Sequence, residues 1–141
     1  QNYLNKISGP LLDRIDIHIE VTPVKFDELS DKRPAEPSEH VRDRVMKARL
    51  LQEARFEKNK GIYCNAQMTK QMINQHCEID QAGQALLKRA MERLGLSARA
   101  YDRILKVSRT IADLAESEAI LPEHLAEAIQ YRSLDRDSWA G

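Results

Sequence analysis

A mainly α-helical fold is what this 141-residue sequence predicts, with about four or five helices in one bundle preceded by a single strand and a linker. Aromatic residues make up only 5% of the chain, while Ala, Leu, Glu, Lys, Arg and Gln abound, a mixture that favours helices over twisted sheets. Beyond residue 38 the apolar residues recur at helical spacing, and only one stretch of the chain alternates with period two. The length suits one modest core, not two large domains.

Along the chain, Leu4, Ile7, Leu11 and Leu12 sit near helical spacing but are interrupted by Gly9 and Pro10, so residues 3–12 read as a helix end or turn. Next, Ile15, Ile17, Ile19 and Val21 alternate with Asp16, His18 and Glu20, the pattern of a strand with one buried face. A lone strand leaves its backbone donors and acceptors without partners, and no later run offers a second strand, so its sheet is expected upstream. Pro23, Pro34 and Pro37 among charged residues mark a connector.

Ser38 is placed to cap a long helix carrying Val41, Val45, Ala48, Leu51 and Gln52 and ending before Gly61. A short helix follows near Met68–Gln75. Asp80 can cap another, with a stripe of Leu86, Leu87, Ala90 and Leu94 stopped by Gly95. Ser97 opens the best-defined element, in which Ala100, Ile104, Val107, Ile111 and Leu114 form one inward stripe. Pro122 suits the first turn of a final helix through Leu125, Ala128 and Ile129, because its missing amide costs nothing there. The expected organisation is residues 1–22 as the trailing edge of an α/β core, 23–37 as linker, 38–132 as helical domain and 133–141 as a frayed tail.

Composition narrows the function. Basic and acidic residues balance at 22 each, so no global field draws the chain to nucleic acid or membrane. The helix within residues 39–60 is locally basic, but acidic residues interleave and no aromatic platform accompanies them, so DNA contact by this segment is expected to be weak or absent. Cys64 and Cys77 form no CxxC pair, which fits a reduced, cytoplasmic setting. His76 beside Cys77 lacks a second ligand pair, and no metal site is expected. No apolar run is long enough for a membrane helix, and no signal peptide is evident. The opening at Gln1, without an initiator Met, reads as a piece of a longer protein.

Nucleotide hydrolysis of the P-loop kind needs a glycine-rich loop followed by Lys and Ser or Thr, and none of the five glycines opens a GxxxxGK[ST] motif. Nor does an apolar strand end in the carboxylates that would hold magnesium. Two arginines nevertheless stand where charge is useful. Arg14 lies at the junction of turn and strand in Ser8-Gly9-Pro10-Leu11-Leu12-Asp13-Arg14-Ile15-Asp16-Ile17, where its planar fork of donors could meet a transferring phosphoryl group; a surface pair with Asp13 or Asp16 is the plainer alternative. Arg99 lies in the first turn after Ser97, with Arg103 and Lys106 on the same face. The helix amino end adds partial positive charge, so the stripe suits phosphate, unless it is an ordinary solvated face.

The run Leu96-Ser97-Ala98-Arg99-Ala100-Tyr101-Asp102-Arg103-Ile104-Leu105-Lys106-Val107-Ser108-Arg109-Thr110-Ile111-Ala112-Asp113-Leu114 resembles the C-terminal region of the magnesium chelatase-like AAA+ ATPases of the competence type. Ser8–Val21 resembles that family's entry into the last strand of the ATPase core, and the order of the two stretches matches. The resemblance implies an AAA+ C-terminal helical lid at 38–132, with Arg14 as an arginine finger acting in trans and Arg99 as a second-sensor arginine on ATP phosphate. Arg103 and Arg109 take provisional supporting roles there. It further implies ATP and Mg2+ in the intact parent, neither held by this chain alone. The implied partners are the upstream core, neighbouring subunits of a homo-oligomeric ring, and DNA for the parent during recombination or transformation. A magnesium chelatase motor subunit and a helical interaction module without a nucleotide role stand as alternatives.

Overall fold

The computed structural model describes residues 8–24 and 33–132. Among them the chain forms α1 (Gly9–Leu12), α2 (Ser38–Phe56), α3 (Lys70–His76), α4 (Gln81–Leu94), α5 (Ala98–Leu114) and α6 (Pro122–Gln130), with a 3-10 turn at Asn65–Gln67. The expectations for residues 1–7, for 25–32 of the linker and for the tail 133–141 fall outside the described residues.

Most helix ends follow local chemistry. Asp80 Oδ1 accepts from the Gly83 amide at 2.7 Å, and Ser97 Oγ accepts from the Ala100 amide at 3.2 Å, each satisfying a donor that the helix itself leaves unpaired. Gly95 ends α4 in the left-handed region at φ 54°, a conformation that costs other residues more. Pro122 opens α6, where the Leu121 amide donates to His124 Nδ1 at 3.0 Å. Ser38 departs from expectation. Extended Pro37 takes the cap position, no side chain caps α2, and Ser38 is already helical, because the proline's fixed φ sets the entry.

α5 is the central element, packed against α2, α3, the 3-10 turn and α6, while α4 lies on α6. Phe56, Ile73, Leu87, Ile104, Leu105 and Leu125 are among the side chains that fill the core. Close contact between α4 and α6 requires glycine at 83: a Cβ there would stand 2.8 Å from Leu125 Cδ1. Ile79 and Ile120 pair in one isolated parallel bridge that joins the connectors before α4 and α6.

The segment expected as a strand does not become one. Residues 17–24 take no regular structure and join no ladder; Ile15, Ile17, Ile19 and Val21 are exposed, whereas His18 is buried. No strand lies among the described residues, so the alternating face has no sheet to cover it. The backbone bonds instead to the bundle: the His18 amide donates to Tyr131 O at 2.7 Å.

A charged cluster lies within this core. Asp113, on α5, is almost wholly buried and accepts a fork from Arg55 at 2.8 and 2.5 Å and a bond from Arg109 Nε at 3.1 Å. Asn65 Nδ2 donates to the same carboxylate at 2.8 Å, and its backbone amide donates to Gln52 Oε1 at 2.9 Å. Arg109 spends its remaining donors on Glu118 O and Ser117 O, at 2.8 and 2.6 Å. One carboxylate thus ties α2, the 3-10 turn, α5 and the loop before α6.

Asp113→Ala is expected to lower unfolding free energy in urea by about 3–5 kcal/mol, because two guanidiniums would remain in the interior without their counter-charge. Cys77 is buried, and its thiol is pushed up to about 11 by that burial, which outweighs the nearby arginines. A thiol reagent at pH 8 should therefore modify Cys64 in the native protein and reach Cys77 only after denaturant is added.

Candidate functional site

Arg14 and Arg99 both expose their guanidinium groups, and neither engages another described side chain. Exposure alone does not distinguish them, since Arg42, Arg49 and Arg93 are exposed as well. The difference lies in the backbone beneath them. Arg99 occupies the second position of α5, two residues after the capping Ser97, where unpaired amides concentrate positive potential.

Arg14 is braced from both sides. Before it, the Leu12 side chain is buried and Leu12 O accepts from His18 Nε2 at 3.2 Å. After it, Ile15 O accepts from Arg132, and Asp16 forms an ion pair with Arg103 of α5. Asp13 lies 4.0 Å from Arg132. The sequence suggested a sheet as the rigid base for Arg14; in the structure the helical bundle provides it. Neither Asp13 nor Asp16 pairs with Arg14, because Arg132 and Arg103 take those carboxylates.

The expected basic stripe is therefore divided. Arg103, provisionally placed at phosphate, is turned onto Asp16, and Lys106 Nζ donates to Ala66 O at 2.9 Å. Only Arg99 of the three keeps its donors for a ligand. The residues present fit one part of a nucleotide site, a guanidinium at a helix amino end, but supply no loop that surrounds phosphates. Among the described residues no group of three or more His, Cys, Asp or Glu is placed to hold a metal ion, and no helix is long and apolar enough to cross a membrane.

Sequence reasoning missed the anchors. The Asp16–Arg103 pair spans 87 residues and the Arg132–Ile15 bond 117, and nothing local announces either. It also did not pair Arg109 with Asp113, although the two stand at the i, i+4 spacing that predicts a pair.

The mainly helical bundle from residue 35 onward is the C-terminal lid domain of a magnesium chelatase-like AAA+ fold, as the family match over those residues shows. Residues 35–132 match the family described as "Magnesium chelatase, subunit ChlI C-terminal", and residues 1–29 match "Magnesium chelatase, subunit ChlI". The chain belongs to this magnesium chelatase C-terminal family. It is 43% identical over 135 residues to "Competence protein ComM" of Haemophilus influenzae, covering 95% of this chain and 26% of that protein. It is 40% identical over 136 residues to "Uncharacterized protein YifB" of Escherichia coli, again 95% and 26%. An uncharacterized Mycobacterium tuberculosis protein is 31% identical over 132 residues, covering 94% and 26%. The chain thus spans about a quarter of the length of these relatives.

Near the Asp113 cluster, His76 lines a cleft of about 340 Å³ with Arg55, Gln75 and Arg109. Desolvation lowers its pKa below the usual histidine value, and the charges of Arg55 and Arg109 lower it further. The unfolded chain therefore binds this proton more readily, so the contribution of His76 to stability is complete above about pH 6.5 and is lost as pH falls toward the folded value. Replacing His76 with Phe, which keeps an aromatic ring against Phe56, should flatten the decline in melting temperature between pH 7 and 5.5.

Proposed function

We propose that this chain is the lid and arginine-finger portion of a ring-forming AAA+ ATPase that couples ATP hydrolysis to DNA remodelling in recombination or natural transformation. The observation that carries the reading is the pairing of two uncommitted guanidiniums, Arg14 and Arg99, with backbones fixed by one bundle. The competence-protein name of a 43% identical relative supports the DNA role.

In this reading the phosphate loop and the magnesium-binding carboxylates lie in a core outside these residues. Magnesium supplies charge neutralisation on the phosphates. Arg99 donates to nucleotide phosphate in its own subunit, so that nucleotide binding draws lid and core together. Arg14 reaches the neighbouring subunit's site, where its fork of N–H donors meets the negative charge that develops on the transferring phosphoryl group. A guanidinium suits this task because it stays protonated and its donors are preset in one plane.

In the full-length protein, Arg14→Ala should lower ATP turnover by about a thousandfold while leaving nucleotide affinity nearly unchanged. Arg99→Ala should weaken nucleotide binding as well, measured by titration with a fluorescent ATP analogue. Mixing Arg14→Ala subunits with subunits whose phosphate-loop lysine is removed should restore part of the turnover, since some interfaces then hold one intact site. Full activity of Arg14→Ala, or no GxxxxGK[ST] loop in the full-length sequence, would refute the assignment.

A further inference from the structure

We infer that Arg103 and Arg132 are positioning residues for Arg14, which make the finger segment and the Arg99 helix move as one body. This rests on the reading of Arg14 as a finger. It adds that the nucleotide state sensed by a subunit's own Arg99 sets where that subunit's Arg14 stands in its neighbour's site.

The linkage is short and made of named contacts. Arg99 and Arg103 lie one turn apart on α5, so any displacement of the helix carries both. Arg103 holds the carboxylate of Asp16, two residues beyond Arg14. Arg132, just beyond the end of α6, is among the most deeply buried side chains and donates to Ile15 O, the carbonyl adjacent to Arg14. The neighbouring Tyr131 O receives the His18 amide at 2.7 Å, and His18 Nε2 returns to Leu12 O at 3.2 Å. The stretch 12–18 is thus fixed at Leu12, Ile15, Asp16 and His18, while the Arg14 side chain between these anchors points to solvent. Among the described residues, these anchors lead to α5, to the end of α6 or back into the stretch itself.

The two arginines contribute differently. Arg132 is sealed in the interior, so its loss threatens the fold as well as the finger. The Arg103–Asp16 pair is partly open to solvent, with side chains 31% and 45% exposed, so its loss should leave the bundle folded. A pair that adds little to stability yet bridges 87 residues is suited to setting position.

The test uses the full-length protein with four variants: Arg14→Ala, Asp16→Asn, Arg103→Gln, and the reversal Asp16→Arg with Arg103→Asp. The inference expects Asp16→Asn and Arg103→Gln each to lower kcat roughly 10- to 100-fold with KM for ATP within about threefold of wild type, the size of effect that misplacement by about 1 Å produces. The reversal should recover kcat to within about fivefold, and all variants should keep the wild-type melting temperature within about 2 °C. Hydrogen exchange adds a readout independent of turnover: a non-hydrolysable ATP analogue should slow exchange at residues 12–18 in wild type but not in Arg103→Gln. If Arg14→Ala lowers turnover while Asp16→Asn and Arg103→Gln match wild type in kcat and exchange, the linkage is wrong and the finger stands. If Arg14→Ala itself leaves turnover unchanged, both fall.

Discussion

The buried carboxylate of Asp113 is the constraint around which this domain is arranged. Arg55 approaches it from α2, Arg109 from one turn earlier on α5, and Asn65 from the intervening turn. Two positive charges around one negative charge leave an excess within the protein. Part of that excess is met by the main-chain carbonyls of Ser117 and Glu118, which fixes the loop leading to α6. Apolar packing alone would let α2 rotate or slide on α5 at little cost, since hydrophobic contact is non-directional. A forked guanidinium–carboxylate contact admits one register. The cluster therefore contributes definition of geometry more than net stability, in keeping with the desolvation that buried ion pairs incur.

That definition matters because α5 carries the features that bear on function. Its amino end presents Arg99, its next turn holds Asp16 through Arg103, and its carboxyl end is locked through Asp113. One helix thus runs from the structural cluster to the outward-facing arginine.

Helices were legible in the sequence because their information is local. Asp80, Ser97 and Gly95 announce ends by side-chain chemistry and by backbone freedom, and the stripe from Ala100 announces a packed face, although the buried face turns toward Leu105, Ser108 and Ala112 and leaves Leu114 exposed. The same kind of signal misled at Ser38, where a proline one residue earlier set the start instead. It misled again at Ile15–Val21, where alternation encodes a face for a sheet that the described residues do not contain, and where His18 is buried in place of the isoleucines. Of the candidate site, the two exposed arginines could be marked from position and resemblance. Their supports could not, because a contact across 87 or 117 residues leaves no periodic trace.

α2 carries a different implication. Its only buried residues are Ala48, Gln52 and Phe56, whereas every residue from Ser38 to Met46 is exposed. At 1.5 Å per residue that outer part reaches roughly 13 Å. A turn added to or removed from this exposed part would therefore leave Ala48, Gln52 and Phe56 in their places in the core.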